Sequence, residues 1–194
     1  MQKSASVQYN LASLFFIGIL ALLTWGFYNT YIIFFPSFEN FVFAQHFHGI
    51  MMMTWMIFLI LQPFLIRTGR AHIHRAIGKS SYVVAPLLVL SIFMVSNMTY
   101  HRSVATLPET EAIAQIALPI PNMLAFAVLY VCAIVNRKES TKHMRYMIGT
   151  SLLMIGPGLG RALIIYYGMS LEDAVNFTDY LVLGIAAALF LYDL

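Results

Sequence analysis

Six runs of predominantly apolar residues, each about the length needed to cross a bilayer, follow one another along this chain with short polar stretches between them. A helix rises about 1.5 Å per residue and the hydrocarbon layer is about 30 Å thick, so about 20 apolar residues make one crossing. The runs lie at about Asn10 to Phe35, Phe43 to Ile66, Ser80 to Thr99, Gln115 to Val135, Lys142 to Tyr167 and Phe177 to Leu194. Composition argues against a water-soluble fold: 60% of the 194 residues are hydrophobic and 10% are charged, against about 25% charged in an ordinary soluble domain. The expected fold class is an all-α integral membrane protein, a six-transmembrane-helix bundle forming a single domain over residues 1–194.

Glycine and proline fall inside several runs, as in Gly156-Pro157-Gly158 and Pro119-Ile120-Pro121, and kinks are expected there. The first run is longer than the apolar region of a secretory signal and no small-residue cleavage site follows it, so it reads as a retained helix. The single cysteine, Cys132, leaves no internal disulfide and says nothing about redox compartment. No repeat, low-complexity tract or nucleic-acid-binding basic patch is present.

Charge orients the bundle, because Lys and Arg concentrate in the cytoplasmic loops. Lys3 precedes the first helix; Arg67, Arg70, Arg75 and Lys79 separate the second and third; Arg137, Lys138, Lys142 and Arg145 separate the fourth and fifth. These are nine of the eleven basic residues, and the alternation supports an even number of spans. Glu39, Glu109, Glu111, Glu172, Asp173 and Asp179 fall on the other side, with Glu139 and Asp193 on the basic side. The expected location is a bacterial inner membrane, with the N-terminus and C-terminus cytoplasmic and the lipid bilayer as the first partner.

An ionisable side chain inside a membrane helix is a functional hypothesis by default. The histidines sort into two layers: His46, His48 and His101 near the outer face, and His72, His74 and His143 near the inner one. On the second helix His48, Trp55 and Gln62 recur every seven residues and form one stripe, with Met52 beside it, expected to face inward. On the fifth, His143 and Arg161 are 18 residues apart, five turns of 3.6, which puts them on one face about 27 Å apart, with Met147, Thr150, Met154 and Gly158 near the same line.

Arg161 stays charged and offers five donors suited to a carboxylate or phosphate. Its structural reading is a side chain snorkelling to the outer headgroups. Its functional reading is a clamp for an anionic group, such as a haem propionate, or for a lipid or quinone head. The histidines admit three readings. One is amphipathic anchoring at helix ends. A second is axial ligation of haem b, with His74 and His143 paired on the inner side and His48 taking an outer partner. A third is copper(I) held by the outer set of His46, His48, Met51, Met52, Met94, Met98 and His101. Met51, Met52 and Met53 are consecutive and cannot share one site on a helix, so methionine here reads first as packing filler. His46 and His48 diverge in the same way, and one of the two is expected to point into the bundle.

The loop Arg67 to Lys79 is the densest polar feature, and attraction to an anionic leaflet accounts for its cations at about 1 kcal/mol each. It does not account for His72 and His74 at a helix entrance, nor for the matching Lys142-His143-Met144-Arg145. His48 in Phe47-His48-Gly49, His74-Arg75-x-x-Gly78-Lys79 opening one helix, and Lys142-His143-x-Arg145 opening another, with Gly156-Pro157 and Arg161 further along, resemble a group of uncharacterised bacterial multi-pass membrane proteins. The resemblance covers most of helices two to six and implies no particular activity. The Leu191-Tyr192-Asp193-Leu194 ending resembles a point where members continue into a polar tail, which implies an extension beyond Leu194. The histidine layers are also distantly similar to those of diheme b-type transmembrane cytochromes. That family draws two His pairs from four helices, whereas the fourth helix here has none.

The functional expectation is a membrane-embedded redox or cofactor-handling protein. His74 and His143 are the candidate haem b ligands, and His48 and Arg161 form a second polar site near the outer face. Quinone is the expected electron donor or acceptor. The competing expectations are a non-enzymatic accessory subunit of a membrane complex with protein partners, a small transporter, or a copper carrier that would lose its metal on replacement of His48 and His101.

Overall fold

The computed structural model describes residues 2–192, with side chains from Tyr9 to Leu189 and at Leu191. The side chain of Lys3, and Asp193 and Leu194, which enter the charge count and the expected sixth span, lie outside the described residues. The described residues are helical, with no strand. The helices are α1 (Gln2–Tyr28), α2 (Phe43–Arg67), α3 (Ala71–Val104), α4 (Glu109–Ala114), α5 (Pro119–Val135), α6 (Ser140–Leu152), α7 (Arg161–Tyr167) and α8 (Leu171–Tyr192). A 3-10 turn at Ile32–Phe34 follows α1, and a π-helical segment at Gly156–Gly160 joins α6 to α7.

Five stretches among the described residues are long and apolar enough to cross a membrane: Tyr9–Tyr28, Phe43–Arg67, Ala71–Val104, Glu109–Val135 and Ser140–Tyr167. The expected boundaries shift in physically readable ways. The first helix stops at Tyr28 instead of Phe35, and residues 29–42 form a folded connection. The third begins at Ala71 instead of Ser80, because Gly69 closes α2 with a two-bond cap. Gly69 takes φ +73°, Arg70 N–H donates to Leu65 O at 2.8 Å and Gly69 N–H donates to Ile66 O at 3.1 Å, which satisfies the last carbonyls of α2 and lets α3 start at once. His72, His74 and His101 thus belong to one 34-residue helix, about 51 Å long at about 1.5 Å per residue. Of the fourth expected segment only Pro119–Val135 is helical, as α5, with the short α4 lying ahead of Gln115; the fifth is interrupted at Gly156-Pro157-Gly158, and α8 starts six residues before Phe177.

Packing closes a ring: α1 lies against α2, α2 against α3, α3 against α5, α5 against α6, and the π segment returns to α1, with α8 outside on the π segment. The core includes Phe16, Ile19 and Leu23 of α1, Trp55, Met56 and Leu59 of α2, Ala85 and Leu88 of α3, Phe126 of α5, Leu152 at the end of α6, and Met154 and Ile155 just beyond it. Large apolar side chains such as Leu11, Val83, Leu124 and Val128 cover the outside, an arrangement that suits lipid and not water. Serines and threonines inside the ring satisfy themselves on the preceding turn: Ser81 on Gly78 O, Ser91 on Leu88 O, Ser96 on Ile92 O, Thr150 on Met147 O and Ser151 on Ile148 O, all at 2.6–2.8 Å.

Candidate functional site

The basic residues of the α2–α3 and α5–α6 turns lie at one end of the bundle, and Arg67 reaches across to the Asn10 side chain of α1 there. His74, on the first turn of α3, and His143, on the first turn of α6, sit at this basic end. The His74 ring lies against the main-chain carbonyl of Gln62 in α2, within electrostatic reach of His143 and Arg75. The two histidines expected to pair thus lie at the same end of the bundle, with Gln62 beside His74.

The two rings differ in how their nitrogens are used. His143 Nδ1 is 2.8 Å from the carbonyl oxygen of Ala133 in α5. A carbonyl only accepts, so Nδ1 carries the proton, and the neutral ring keeps its lone pair on Nε2. His74 Nδ1 is buried and has no partner, and the same holds for the side-chain oxygen of Gln62. Leaving such atoms unsatisfied costs about 1–3 kcal/mol each, so a native bundle holding two of them side by side stands out. An imidazole fixed by a main-chain carbonyl at one nitrogen and open at the other is the arrangement metal-ligating histidines use.

The expected stripe on α2 does face inward. Trp55 is 0% exposed, His48 Nδ1 is 3.0 Å from Ser91 Oγ of α3, and the Gln62 side-chain oxygen is buried. Trp55 Nε1 donates to Thr150 Oγ1 at 3.3 Å, its ring meets Phe126 and Tyr130 edge-on at 5.1 and 5.5 Å, and Tyr130 shares a 2.9 Å hydrogen bond with Ser81. Polar groups thus run along the interior from His48, past Trp55 and Thr150, to Gln62 and His74. The Ser81–Tyr130 and His48–Ser91 pairs were not foreseen from sequence, although isolated serines within the apolar α3 were the available signal.

The outer set is not gathered into one site. His46 and His48 diverge as expected, His46 bonding Tyr31 Oη through Nδ1 at 2.6 Å and His48 turning to Ser91. His101 is exposed on the far part of α3 beside Tyr100. Met51 and Met52 pack against the core while Met53 is exposed, which is the behaviour of packing filler. Among the described residues no group of three or more His, Cys, Asp or Glu is arranged to hold a metal ion.

Arg161 does not share a line with His143. The π segment breaks the 3.6-residue period that would align them; His143 turns to α5, and Arg161 lies exposed with its guanidinium carbon 4.5 Å from the Phe27 ring centroid of α1. His48 and Arg161 accordingly have different neighbours and do not pair. A shallow apolar groove of about 500 Å³ runs along α1, lined by Ile17, Leu20, Thr24, Trp25, Tyr28 and Tyr166 among others, with no histidine in its lining.

No family model matches the chain, and neither the curated proteins nor the solved structures contain a match to it.

Proposed function

We propose that this chain is a redox protein of a bacterial inner membrane that binds haem b at its basic end through His74 and His143 and exchanges electrons with a quinone. The observation that supports this reading best is the state of the two imidazoles. His143 is fixed through Nδ1 on Ala133 O with the Nε2 lone pair left over, and His74, at the same end of the bundle, has Nδ1 buried and unpartnered. Haem iron, when bound, supplies a one-electron change that no side chain of the site offers. His74 and His143 would hold the iron from two helices, and the main-chain carbonyl of Ala133, bonded to His143 Nδ1, would orient that ring and raise its basicity. Trp55, Phe126 and Tyr130 pack on one another and keep the bundle interior between the two ends apolar.

In the same reading α8 is the sixth span. An even number of crossings then puts both termini in the cytoplasm with the basic end. Arg161, lying over Phe27 at the bundle surface, serves the opposite leaflet as a cation for lipid or quinone headgroups.

The test is an optical spectrum of the full chain, purified in detergent after expression with added haem precursor. A Soret band is expected, lost or shifted in His74→Ala and in His143→Ala and unchanged in His72→Ala, whose side chain is exposed. Absence of the band with adequate haem supply overturns the proposal. Stoichiometric copper by elemental analysis would then favour a copper carrier, and co-purifying membrane proteins an accessory subunit.

A further inference from the structure

The α1–α2 connection is long for a bundle turn, and its sequence is apolar where a water-exposed loop would be polar. Residues 29–42 carry one charged side chain, Glu39, and no Lys or Arg occurs between Lys3 and Arg67. The connection is also built, with rings packed on rings. Tyr31 Oη bonds His46 Nδ1 at 2.6 Å, and Phe38 packs against the Tyr31 and His46 rings, each with centroids 5.0 Å apart. Phe41 closes on Tyr31 at 5.2 Å. Holding this shape places two non-glycine residues in the left-handed region, Phe38 at φ +46° and Asn40 at φ +71°. A bulky aromatic is strained there, so the ring cluster must over-determine the fold of the segment.

Further apolar side chains lie on the outside of the cluster, Phe34 against Phe41 at 5.4 Å and Phe35 against Phe38 at 5.9 Å, and stay exposed. Ile33, Phe34 and Phe35 are exposed, Phe35 at 73%, and Phe43 at the start of α2 is 70% exposed. We propose that this face is a wedge that docks into the headgroup and acyl boundary of the lipid bilayer on the side opposite the basic end. Lipid is the occupant because the patch continues an existing lipid-facing surface. At the same end α1 finishes with exposed Trp25 and Tyr28, and α7 finishes with exposed Tyr167, whose ring meets Trp25 edge-on at 6.4 Å. Indole and phenol rings favour that depth, with the apolar body in the acyl region and the polar tip among headgroups. The absence of basic residues suits the leaflet away from the positive end, and Glu39 and Asn40 form an exposed polar tip that can remain in water. The wedge would thus fix the depth of α1 and α2, and with them the level of His46.

Depth-dependent quenching tests this. In a Cys132→Ser background, single cysteines at Phe35, Glu39 and Val128 are labelled with an environment-sensitive fluorophore. The full chain is then reconstituted into phosphatidylcholine vesicles with or without bromine on the acyl chains. Val128, 61% exposed on α5, reports that the spans are in the bilayer. The label at Phe35 is expected to be quenched several-fold more by brominated lipid than the label at Glu39, and to resist aqueous iodide. If Val128 responds while Phe35 is quenched by iodide and not by bromolipid, the wedge is overturned, as it is if Phe35 is water-accessible in vesicles and shielded only in native membranes, the mark of a protein partner. Ile33→Cys replaces Phe35→Cys if the latter fails to fold.

Discussion

Gly26 of α1 and Gly158 of the π segment meet backbone to backbone: a Cβ added to Gly26 would sit 2.0 Å from the Gly158 carbonyl oxygen. The reverse addition at Gly158 would meet the Leu23 main chain at 3.2 Å. This crossing lets the apolar faces of α1 and the α6–α7 unit interlock, and it accounts for the small residues in the Gly156-Pro157-Gly158 interruption. Gly26→Ala is expected to prevent folding or to lower the thermal midpoint in detergent sharply, because the obstacle is main chain and not a movable side chain. Overpacking alone costs about 1–3 kcal/mol. Gly18→Ala, with nothing within 4 Å, is the control, and should gain up to about 1 kcal/mol of helix propensity. Equal midpoints for the two variants would rule out the close crossing.

Trp55 and Thr150 form the hydrogen bond that ties α2 to α6 in the core. Thr150→Val leaves the buried indole N–H without an acceptor, at about 1–3 kcal/mol, whereas Trp55→Phe removes donor and acceptor need together and should cost mainly packing. The double variant should therefore cost less than the two single losses added, and a thermodynamic cycle from unfolding in mixed detergent reads the difference. Strict additivity would show that the two side chains do not interact.

Much of this fold could be read from residues alone, and the exceptions have local causes. Apolar length and the spacing of His48, Trp55 and Gln62 were enough to place the helices and the inward face of α2, because burial and periodicity act over many residues. What failed was everything that depends on one backbone turn. Gly69 in the left-handed region advanced α3 to Ala71, and the folded ring cluster around Tyr31 stopped α1 at Tyr28. The π segment removed the register that linked His143 to Arg161. At the candidate site, the placement of His74 and His143 at the openings of two helices at the basic end was legible from two similar loop motifs. Gln62 and the Ala133 carbonyl were not, since a main-chain acceptor leaves no mark in a sequence.

The orientation has its own test. With Cys132→Ser as background, Arg70→Cys and Arg102→Cys place one exposed reporter on each side of α3. In intact cells with a permeable outer envelope, a membrane-impermeant maleimide should label position 102 and spare position 70 until the inner membrane is opened. The opposite order would invert the topology and place His74 and His143, the proposed haem ligands, at the outer leaflet.

Burial raises the Tyr31 phenol above its ordinary value of 10.0. Its hydroxyl has no acceptor other than His46 among the described residues, so at neutral pH it donates to His46 Nδ1. A phenol whose folded pKa is raised binds its proton more tightly folded than unfolded. Its contribution is therefore complete below about pH 10 and is lost as pH rises through the folded value. Hydrogen exchange of amides 31–42 should accelerate above that point beyond the intrinsic base-catalysed rise, and Tyr31→Phe should abolish the excess. Protection that falls instead between pH 7 and 9 would contradict the assignment.

The two nitrogens of His143 make structure and ligation separable. In His143→Asn the side-chain amide offers an N–H at nearly the position of Nδ1, so the bond to the Ala133 carbonyl can persist while the Nε2 lone pair is gone. His143→Ala removes both, leaving a part-buried carbonyl unsatisfied at about 1–3 kcal/mol. If His143 is a ligand, the Soret band should fail in both variants while thermal stability of the haem-free protein falls in the alanine variant alone. Should His143→Asn retain an unshifted band, the iron is held elsewhere and His143 serves only to tie α6 to α5. If instead both variants lose stability equally, the Ala133 bond is not what the imidazole contributes, and the orientation assigned to Nε2 falls with it.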